Sequence, residues 1–200
     1  MSTRVRMSPD TRREQLLDLG VALLATHSVD ELSIDLLAEE AGISRGLLYH
    51  YFGSKHEFHH AVVRRAADQV IAITAPSAEG SPLERLAGSL EAYVDYVVAN
   101  YAGYSSLVRA TASGNQAMRE IYEETRASLT DRIFVTAGEA GLAEFGVTDT
   151  PAVRLMVRGW SAMTEEVVLT WVREDRGIPK DELLTMLAAA LPAVLAAASS

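Results

Sequence analysis

The sequence contains no cysteine, so neither a disulfide framework nor a thiolate metal site can form, and a reducing compartment fits this composition. Long apolar segments are missing too. The longest uncharged apolar run, 186–198, has 13 residues and includes Pro192, whereas a membrane-spanning helix needs about 20. The first residues are charged, and no apolar segment precedes Leu16. We therefore expect no signal peptide, no membrane association and a cytoplasmic location.

Residue groupings typical of catalysis are also missing. All five histidines lie at or before position 60, and the sequence has neither a Ser/His/Asp grouping nor a Gly-rich phosphate-binding loop. We expect no enzymatic activity and no cofactor. The alternating pattern of β-strands and internal repeats are absent as well, which predicts an all-α fold.

Basic residues are scarce: 18 Lys and Arg stand against 27 Asp and Glu, a net charge of −9. The excess of acid is uneven, since residues 1–65 carry 8 basic and 9 acidic residues, whereas residues 66–200 carry 10 and 18. The first 13 residues hold four arginines and one aspartate, and residues 1–7 are predicted to form a basic arm. Any contact with DNA is therefore expected in the first third of the chain, with modest non-specific binding.

Residues 33–55 contain the pattern of two short helices joined by a tight turn. The first helix shows apolar residues at three- and four-residue spacing, and it ends at Gly42, which can adopt the left-handed conformation. Ser44 is placed to cap the second helix, which is predicted from Arg45 to Tyr51. Leu48 and Phe52 should point inward, leaving Arg45, Gly46, Leu47, Tyr49 and His50 outside. Such a pair is a helix-turn-helix, whose second helix enters the DNA major groove. A hairpin without a DNA role is the alternative, but it leaves an exposed apolar and aromatic surface unexplained.

The remaining chain also reads as helices, about nine in all. Helices are predicted to end near His27, Ala75, Glu139 and Asp175, a short one is predicted at 104–112, and Pro192 should kink or loosen the last helix. Four helix starts combine a capping hydroxyl with a proline or an acidic residue, at Ser8-Pro9, Ser54–Glu57, Ser81-Pro82 and Thr150-Pro151. The predicted architecture is an N-terminal three-helix head and a helical C-terminal body. We place a DNA-binding domain at 8–70 and a second, helical domain at 76–200, separated by the loop around Pro76.

The run from Thr11 to about Val63 resembles the TetR family of bacterial transcriptional regulators. The most specific part is A-G-I-S-R-G-L-L-Y-H-Y-F-G-S-K, residues 41–55, in which turn, recognition helix and following cap coincide at fixed spacing. The later part is similar only in helix number and arrangement. The resemblance implies a homodimer in which the last two long helices pair across the two-fold axis. It also implies that 76–200 is a ligand-binding and dimerisation domain, with a pocket for a small molecule that alters operator affinity.

The resemblance further implies DNA-binding roles for Ser33, Ser44, Arg45, Gly46, Leu47, Tyr49, His50 and Lys55. The serines and the lysine would meet phosphates at helix N-termini, and the tyrosine and histidine a phosphate or a thymine methyl. Arg45 is the candidate for a bidentate bond to guanine, and Gly46 would let the backbone approach DNA. Leu47 departs from the family pattern, which often has a small hydroxyl residue there. Readout at that position would be apolar or absent.

Three histidines, His56, His59 and His60, are spaced so that they could bring imidazoles together for a metal. We favour the alternative, a solvated face near DNA that gains charge as the pH falls. No nearby cysteine or pair of carboxylates completes a metal shell, and no metal is expected.

The candidates for lining an effector cavity are Tyr93, Tyr96, Tyr101, Tyr104, Arg109, Met118, Tyr122, Trp160 and Met163. For each of them ordinary core packing is the favoured alternative, and the tyrosines are the better candidates because a buried hydroxyl needs a partner. An inward-facing Arg109 would require Glu165, Glu166 or an acidic ligand, and solvent exposure is favoured instead. The set suggests a medium-sized, mostly hydrophobic effector.

The last two helices show broad apolar surface over 160–172 and 183–195. This surface is either a wide buried face within one chain or a dimer interface. The dimer is favoured because a helix-turn-helix protein that reads two half-sites needs two-fold symmetry. Alanines that would allow close helix approach are Ala188, Ala189, Ala190, Ala193 and Ala196.

The sequence thus predicts a ligand-responsive DNA-binding regulator, preferably a repressor that binds a near-palindromic operator as a homodimer. An activator of the same architecture is the alternative, because the sign of regulation depends on where the operator lies. A small-molecule binding protein or enzyme with a vestigial head is disfavoured by the missing catalytic groupings. The sequence does not identify the effector, the operator or the target genes.

Overall fold

The computed structural model describes residues 8–174 and 177–198, which form nine α-helices and no strand. The predicted all-α class is confirmed. The helices are α1 (Pro9–Leu23), α2 (Ile34–Ala41), α3 (Arg45–Phe52), α4 (Lys55–Ile73), α5 (Pro82–Ala99), α6 (Tyr101–Ala112), α7 (Gln116–Glu144), α8 (Pro151–Arg173) and α9 (Lys180–Ala198). The predicted basic arm at 1–7 and a predicted end of the eighth helix near residue 175 lie outside the described residues.

The helices pack into two compact units. The head unit contains the described residues up to Asp68 together with Asn100–Tyr122, and the body unit contains Gln69–Ala99 and the described residues from Glu123 onward. The predicted domains, 8–70 and 76–200, divide the chain at a single point, whereas packing groups α6 and the start of α7 with the head. The domain boundaries therefore stay a prediction.

Capping groups fix the helix starts as the sequence predicts. The hydroxyls of Ser8, Ser33, Ser44 and Thr150 each accept a hydrogen bond from the backbone N–H three residues later, at 3.1, 3.0, 3.3 and 3.2 Å. At the start of α5 the capping box is complete, because the Ser81 N–H donates to Glu84 (2.8 Å) and the Glu84 N–H donates to the Ser81 hydroxyl (3.3 Å). The Glu84 carboxylate accepts hydrogen bonds from the Ser81 backbone N–H and from the Ser81 hydroxyl (2.8 Å each), and these two bonds lower the pKa of that carboxyl.

The core of the head unit is a continuous apolar cluster contributed by α1, α2, α3, α4 and α7. Its fully buried members include Leu37, Leu48, Phe58, Met118 and Ile121, each no more than 1% exposed. Burying such side chains contributes roughly 1.5–3 kcal/mol each to folding. The cluster holds α3 by its inner side and leaves the outer side free.

Helix α6 is docked on the end of α1 and the loop that follows it. The Gly103 N–H donates to the Leu24 carbonyl (2.9 Å), and the buried Val29 N–H donates to the Ser106 hydroxyl (2.9 Å). A Cβ atom at position 103 would lie 2.6 Å from the Leu24 Cβ and 2.8 Å from the Leu24 carbonyl oxygen. Glycine is therefore required for this approach of backbone to backbone.

We expect Gly103→Ala to destabilise the head unit by about 1–3 kcal/mol, because the added methyl group overpacks the contact with Leu24. The matched control is Gly88→Ala in α5, where a Cβ would have nothing within 4 Å. The control should stabilise its helix by roughly 0.5–1 kcal/mol, since alanine restricts the unfolded chain more than glycine does. Urea denaturation of both variants measures these changes. Equal changes in the free energy of unfolding would contradict the close approach of Gly103 to Leu24.

Several predicted helix limits are shifted. Helix α1 ends at Leu23 and not near His27, because the N–H groups of residues 24–26 turn back to carbonyls three residues earlier. Helix α4 ends at Ile73, two residues before the predicted Ala75, and α6 begins at Tyr101, three residues before the predicted Tyr104. Helix α7 continues past the predicted Glu139 across a kink at Gly138, where φ is 59°.

In the body unit, α8 and α9 pack against each other and against α5. The indole N–H of Trp160 donates to the Leu187 carbonyl (3.0 Å). Lys180, at the start of α9, binds Asp95 (2.7 Å) and Glu91 (3.1 Å) of α5, and these carboxylates raise its pKa. The predicted disturbance at Pro192 does not end α9, which is helical on both sides of it.

One helix in the described part of the chain, α9, is long and apolar enough to cross a membrane by length and composition alone. The uncharged run, 186–198, is too short to cross a membrane. A longer stretch of α9, which includes charged residues at the start of the helix, is long enough. The core helix of a soluble protein can be equally long and apolar. Within one chain, 22% of this stretch of α9 is buried. Four leucines of α9 are buried within one chain, at 183, 187, 191 and 195, whereas Met186 and several alanines on another side of the helix are exposed.

Candidate nucleic-acid interface

The helix-turn-helix is formed by α2, a turn at Gly42 and Ile43, and α3. Gly42 adopts the left-handed conformation (φ 63°, ψ 36°), and the Ile43 N–H bonds the Ala38 carbonyl at 3.0 Å. Leu48 and Phe52 of α3 are 0% and 3% exposed. Turn and core together fix the direction of α3, and the predicted inward residues are confirmed.

The outer side of α3 forms what we call the reading surface, made of Arg45, Gly46, Leu47, Tyr49 and His50. All five residues are exposed, as the sequence predicts. Leu47 and Tyr49 are 38% and 45% exposed, which is costly apolar surface for a protein with no partner there. A Cβ at Gly46 would have nothing within 4 Å, so packing within the chain does not require glycine at this position.

Three further DNA-binding candidates flank the reading surface. Ser33 is half-buried at the start of α2, Ser44 is exposed at the start of α3, and Lys55 is exposed as the first residue of α4. Each serine oxygen caps its own helix while its hydroxyl hydrogen can still be donated. The three positions combine free donors with helix N-termini, the arrangement that binds phosphate.

Arg45 is held by a residue that the sequence did not point to. Its Nη2 donates to Oδ2 of Asp35 at 2.7 Å, and its Nε contacts Oδ1 of the same carboxylate. Asp35 lies in the first turn of α2, ten positions before Arg45. The spacing alone does not show that the two side chains meet, because their meeting depends on the turn between the helices.

Acidic side chains of α1 are neutralised within the head. Arg65 of α4 binds Asp18 (2.7 Å) and Glu14 (2.9 Å), and the bond to Asp18 is the main reason why the pKa of Arg65 is raised. The Arg13 guanidinium lies 5.4 Å from the centre of the Phe52 ring. The head thus compensates part of its acidic excess, which favours an approach to DNA.

The structure places His56 on an exposed face, as predicted, but it places His59 elsewhere. A ring nitrogen of His59 bonds the Leu32 carbonyl, and the side chain is half-buried, so the solvated face does not extend to it. Burial lowers the pKa of His59, so its ring resists charging. His56 is exposed as expected, and His60 is half-buried. Over the described ranges no three His, Asp or Glu side chains are grouped to hold a metal.

The effector-cavity candidates are distributed over both units. Tyr93, Tyr96, Trp160 and Met163 belong to the body unit, and Tyr101, Tyr104, Arg109, Met118 and Tyr122 belong to the head unit. All five tyrosines are half-buried, and burial raises the pKa of Tyr96 to about 12.

Of these candidates, two are buried in the core and two are exposed in the single chain. Met118 is 1% exposed within the head core, and Trp160 is 5% exposed with its N–H bonded to a backbone carbonyl. Both are accounted for by core packing, because helical spacing shows a buried face but not its neighbours. Arg109 and Met163 are exposed in the single chain, so neither faces an interior.

Sequence reasoning missed a polar position inside the body unit. The Thr164 side chain is 4% exposed, and within the described parts of the chain its hydroxyl has no hydrogen-bond partner. The neighbouring Glu165 is also buried, at 7%. The position of Thr164 four residues after Trp160 and four before Val168 could have placed it on the buried face of α8. A buried hydroxyl without a partner is a costly feature that a ligand can satisfy.

Two families of known proteins match this chain, one in its N-terminal part and one in its C-terminal part. The family described as bacterial regulatory proteins, tetR family, matches residues 16–62, and that described as tetracyclin repressor-like, C-terminal domain, matches residues 82–193. A solved tetR-family transcriptional regulator from Streptomyces coelicolor is 32% identical, with a TM-score of 0.83, over 96% of this chain and 84% of that one.

Two curated relatives carry a stated direction of regulation. The transcriptional activator FasR of Mycolicibacterium smegmatis is 26% identical over 180 residues, which are 88% of this chain and 79% of FasR. The transcriptional repressor KstR2 of Mycobacterium tuberculosis is 32% identical over 101 residues, 50% of each chain. The relatives are transcriptional regulators and not enzymes.

Proposed function

The chain belongs to the TetR family of bacterial transcriptional regulators, and on that basis we propose that it binds a near-palindromic operator as a homodimer. Family members bind DNA and act as dimers with small-molecule effectors. The observation that supports the proposal most directly is the reading surface, which is exposed on a helix whose opposite side is fixed in the head core. Each copy would place this surface in one major groove, with the two heads about one helical turn or slightly more apart.

The proposed operator can be found without knowing its genomic position. Selection of bound duplexes from a randomised library by the full chain should enrich two inverted half-sites. A population without inverted symmetry would contradict the proposed geometry, and a failure to enrich any sequence would contradict specific binding.

We propose residues 8–70 as the DNA-binding domain and 76–200 as the ligand-binding and dimerisation domain.

We propose that α8 and α9 form the dimer interface. Exposed apolar or small residues recur along one face of α8 at Leu155, Gly159, Met163 and Val167. The same holds for α9 at Met186, Ala189, Ala193 and Ala196. Both series follow helical spacing, and a self-complementary pair of such faces satisfies a two-fold interface. Pairing would also cover the apolar surface of α9.

The interface is tested by Ala189→Glu. Position 189 is exposed in one chain, so the variant should fold, but in the dimer the new carboxylate would be buried without a partner. That burial costs about 3 kcal/mol or more, which raises the dimer dissociation constant over a hundredfold. The control is Ala87→Glu, the same change on the exposed side of α5. Sedimentation velocity should show single chains for the first variant and dimers for the second, and two dimeric variants would refute the interface.

For the effector we propose a medium-sized, mostly hydrophobic molecule bound in the body. The half-buried Tyr93 and Tyr96 would supply the few polar contacts that such a site uses, together with the Thr164 hydroxyl, which has no hydrogen-bond partner among the described residues. An effector that prefers a body conformation with misplaced heads would lower operator affinity. We propose α4 as the lever, because its residues contribute to both units.

We propose repression as the direction of regulation and a cytoplasmic location. The match to the activator FasR over most of the chain favours activation as the second candidate. In vitro transcription from a promoter that contains the selected operator separates them: the protein lowers transcript yield as a repressor and raises it as an activator. Enzymatic activity is not proposed.

A further inference from the structure

The ion pair between Asp35 and Arg45 lies at the edge of the reading surface. Arg45 is the first residue of α3, and Asp35 lies in the first turn of α2, so the pair links the two helices of the motif. The two side chains are 66% and 57% exposed. Such an exposed pair contributes little to stability. Its consequence is for the orientation of the guanidinium group.

The contact uses one particular edge of the guanidinium. Asp35 accepts from Nη2 and contacts Nε, which is the side-on edge of the arginine. A guanidinium has five N–H donors in a fixed plane, so the two on Nη1 and the second on Nη2 stay available at the end-on edge. This edge matches the two acceptors, O6 and N7, that guanine presents in the major groove.

The Asp35 carboxylate also lowers the affinity for DNA that lacks the recognised guanine. Non-specific affinity comes from cations that neutralise phosphates. An arginine paired with Asp35 adds little to that attraction, and the carboxylate itself repels phosphate. The pair therefore keeps the affinity for DNA that carries the guanine while lowering the affinity for other DNA.

Building on the proposed DNA-binding function, we propose that Asp35 is a positioning residue that presents the end-on edge of Arg45 to one guanine of each half-site. In this role Asp35 determines specificity without touching a base. Its removal should lower the preference for the operator more than it lowers binding to DNA in general.

The test measures how strongly binding depends on guanine N7. The probes are the duplex selected by the wild-type protein, the same duplex with single guanines replaced by 7-deazaguanine, and a scrambled duplex. The proteins are wild type, Asp35→Asn, Arg45→Ala and Glu39→Gln. Glu39 is an exposed carboxylate on the same helix, so Glu39→Gln makes the same charge change without touching the pair.

In the wild type and in Glu39→Gln, 7-deazaguanine at one position of each half-site should weaken binding about tenfold. In Asp35→Asn and Arg45→Ala the same replacement should weaken binding less than about threefold, because the bidentate contact is no longer presented. Asp35→Asn should also bind the scrambled duplex more tightly than Glu39→Gln does. A penalty of wild-type size in Asp35→Asn would overturn the proposal.

Two controls separate this proposal from folding and from the wider function. Asp35→Glu keeps the negative charge in the first turn of α2 but displaces the carboxylate by one methylene group, so it too should reduce the N7 penalty. A wild-type penalty in that variant would also count against the proposal. If the wild type selects no duplex, the proposed function fails. If the wild type selects a duplex but the Asp35 variants show the wild-type penalty for 7-deazaguanine, only the positioning role of Asp35 fails.

Discussion

Leu48→Ala is expected to lower the free energy of unfolding of the head unit by about 2–5 kcal/mol, because it leaves a cavity in a packed core. Leu48 is 0% exposed on the inner side of α3. The adjacent Leu47→Ala removes the same atoms from the outer side, where the residue is 38% exposed. That variant should change stability by no more than roughly 0.5 kcal/mol.

The two leucine variants are compared by urea denaturation followed by far-UV circular dichroism. Both tryptophans, Trp160 and Trp171, belong to the body unit, so tryptophan fluorescence would not report the head. Leu47→Ala should keep its stability and still bind the selected operator more weakly, since its side chain is free to meet a thymine methyl. Similar destabilisation by both substitutions would show that α3 is buried on both sides and that the reading surface is misassigned.

Arg45→Ala is expected to weaken operator binding by about 1–3 kcal/mol for each half-site, the value of one bidentate contact to guanine. A homodimer loses the contact twice, so the affinity should fall by more than tenfold while the thermal midpoint stays close to that of the wild type. Arg109→Ala is the matched control, because Arg109 is an exposed arginine on α6 of the same unit. It removes an equal charge away from the reading surface.

Gel-shift titration in the absence of effector compares Arg45→Ala, Tyr49→Ala and Arg109→Ala at one fixed salt concentration. The first two should lose affinity and the third should not. Unchanged affinity in both Arg45→Ala and Tyr49→Ala would refute the motif assignment. An equal loss in Arg109→Ala would show that net charge, and not the reading surface, decides binding.

Local features of the structure were predictable from the sequence. A capping serine acts on the N–H three residues later, and Gly42 acts within its own turn, so neither depends on distant residues. The outward position of Tyr49 and the inward position of Leu48 follow from helical periodicity in the same way. These features define the head and its reading surface.

Features that depend on distant residues were not predictable. The contact of Val29 with Ser106 joins positions 77 apart, and nothing in either segment alone indicates it. His59 is half-buried because its helix turns it toward the Leu32 carbonyl. Met118 belongs to the head core although it lies far along the chain. Periodicity shows which side of a helix is buried, but tertiary packing decides what covers it.

The most direct test of the proposed function is methylation interference at guanine N7 on the selected operator, combined with the mass of the complex. We expect two chains per duplex and interference at two symmetric positions about one helical turn apart, one in each half-site. In Arg45→Ala the interference at both positions should disappear. A complex with a single chain, or wild-type binding that does not distinguish the selected duplex from a scrambled one, would contradict the proposal that paired reading surfaces recognise DNA.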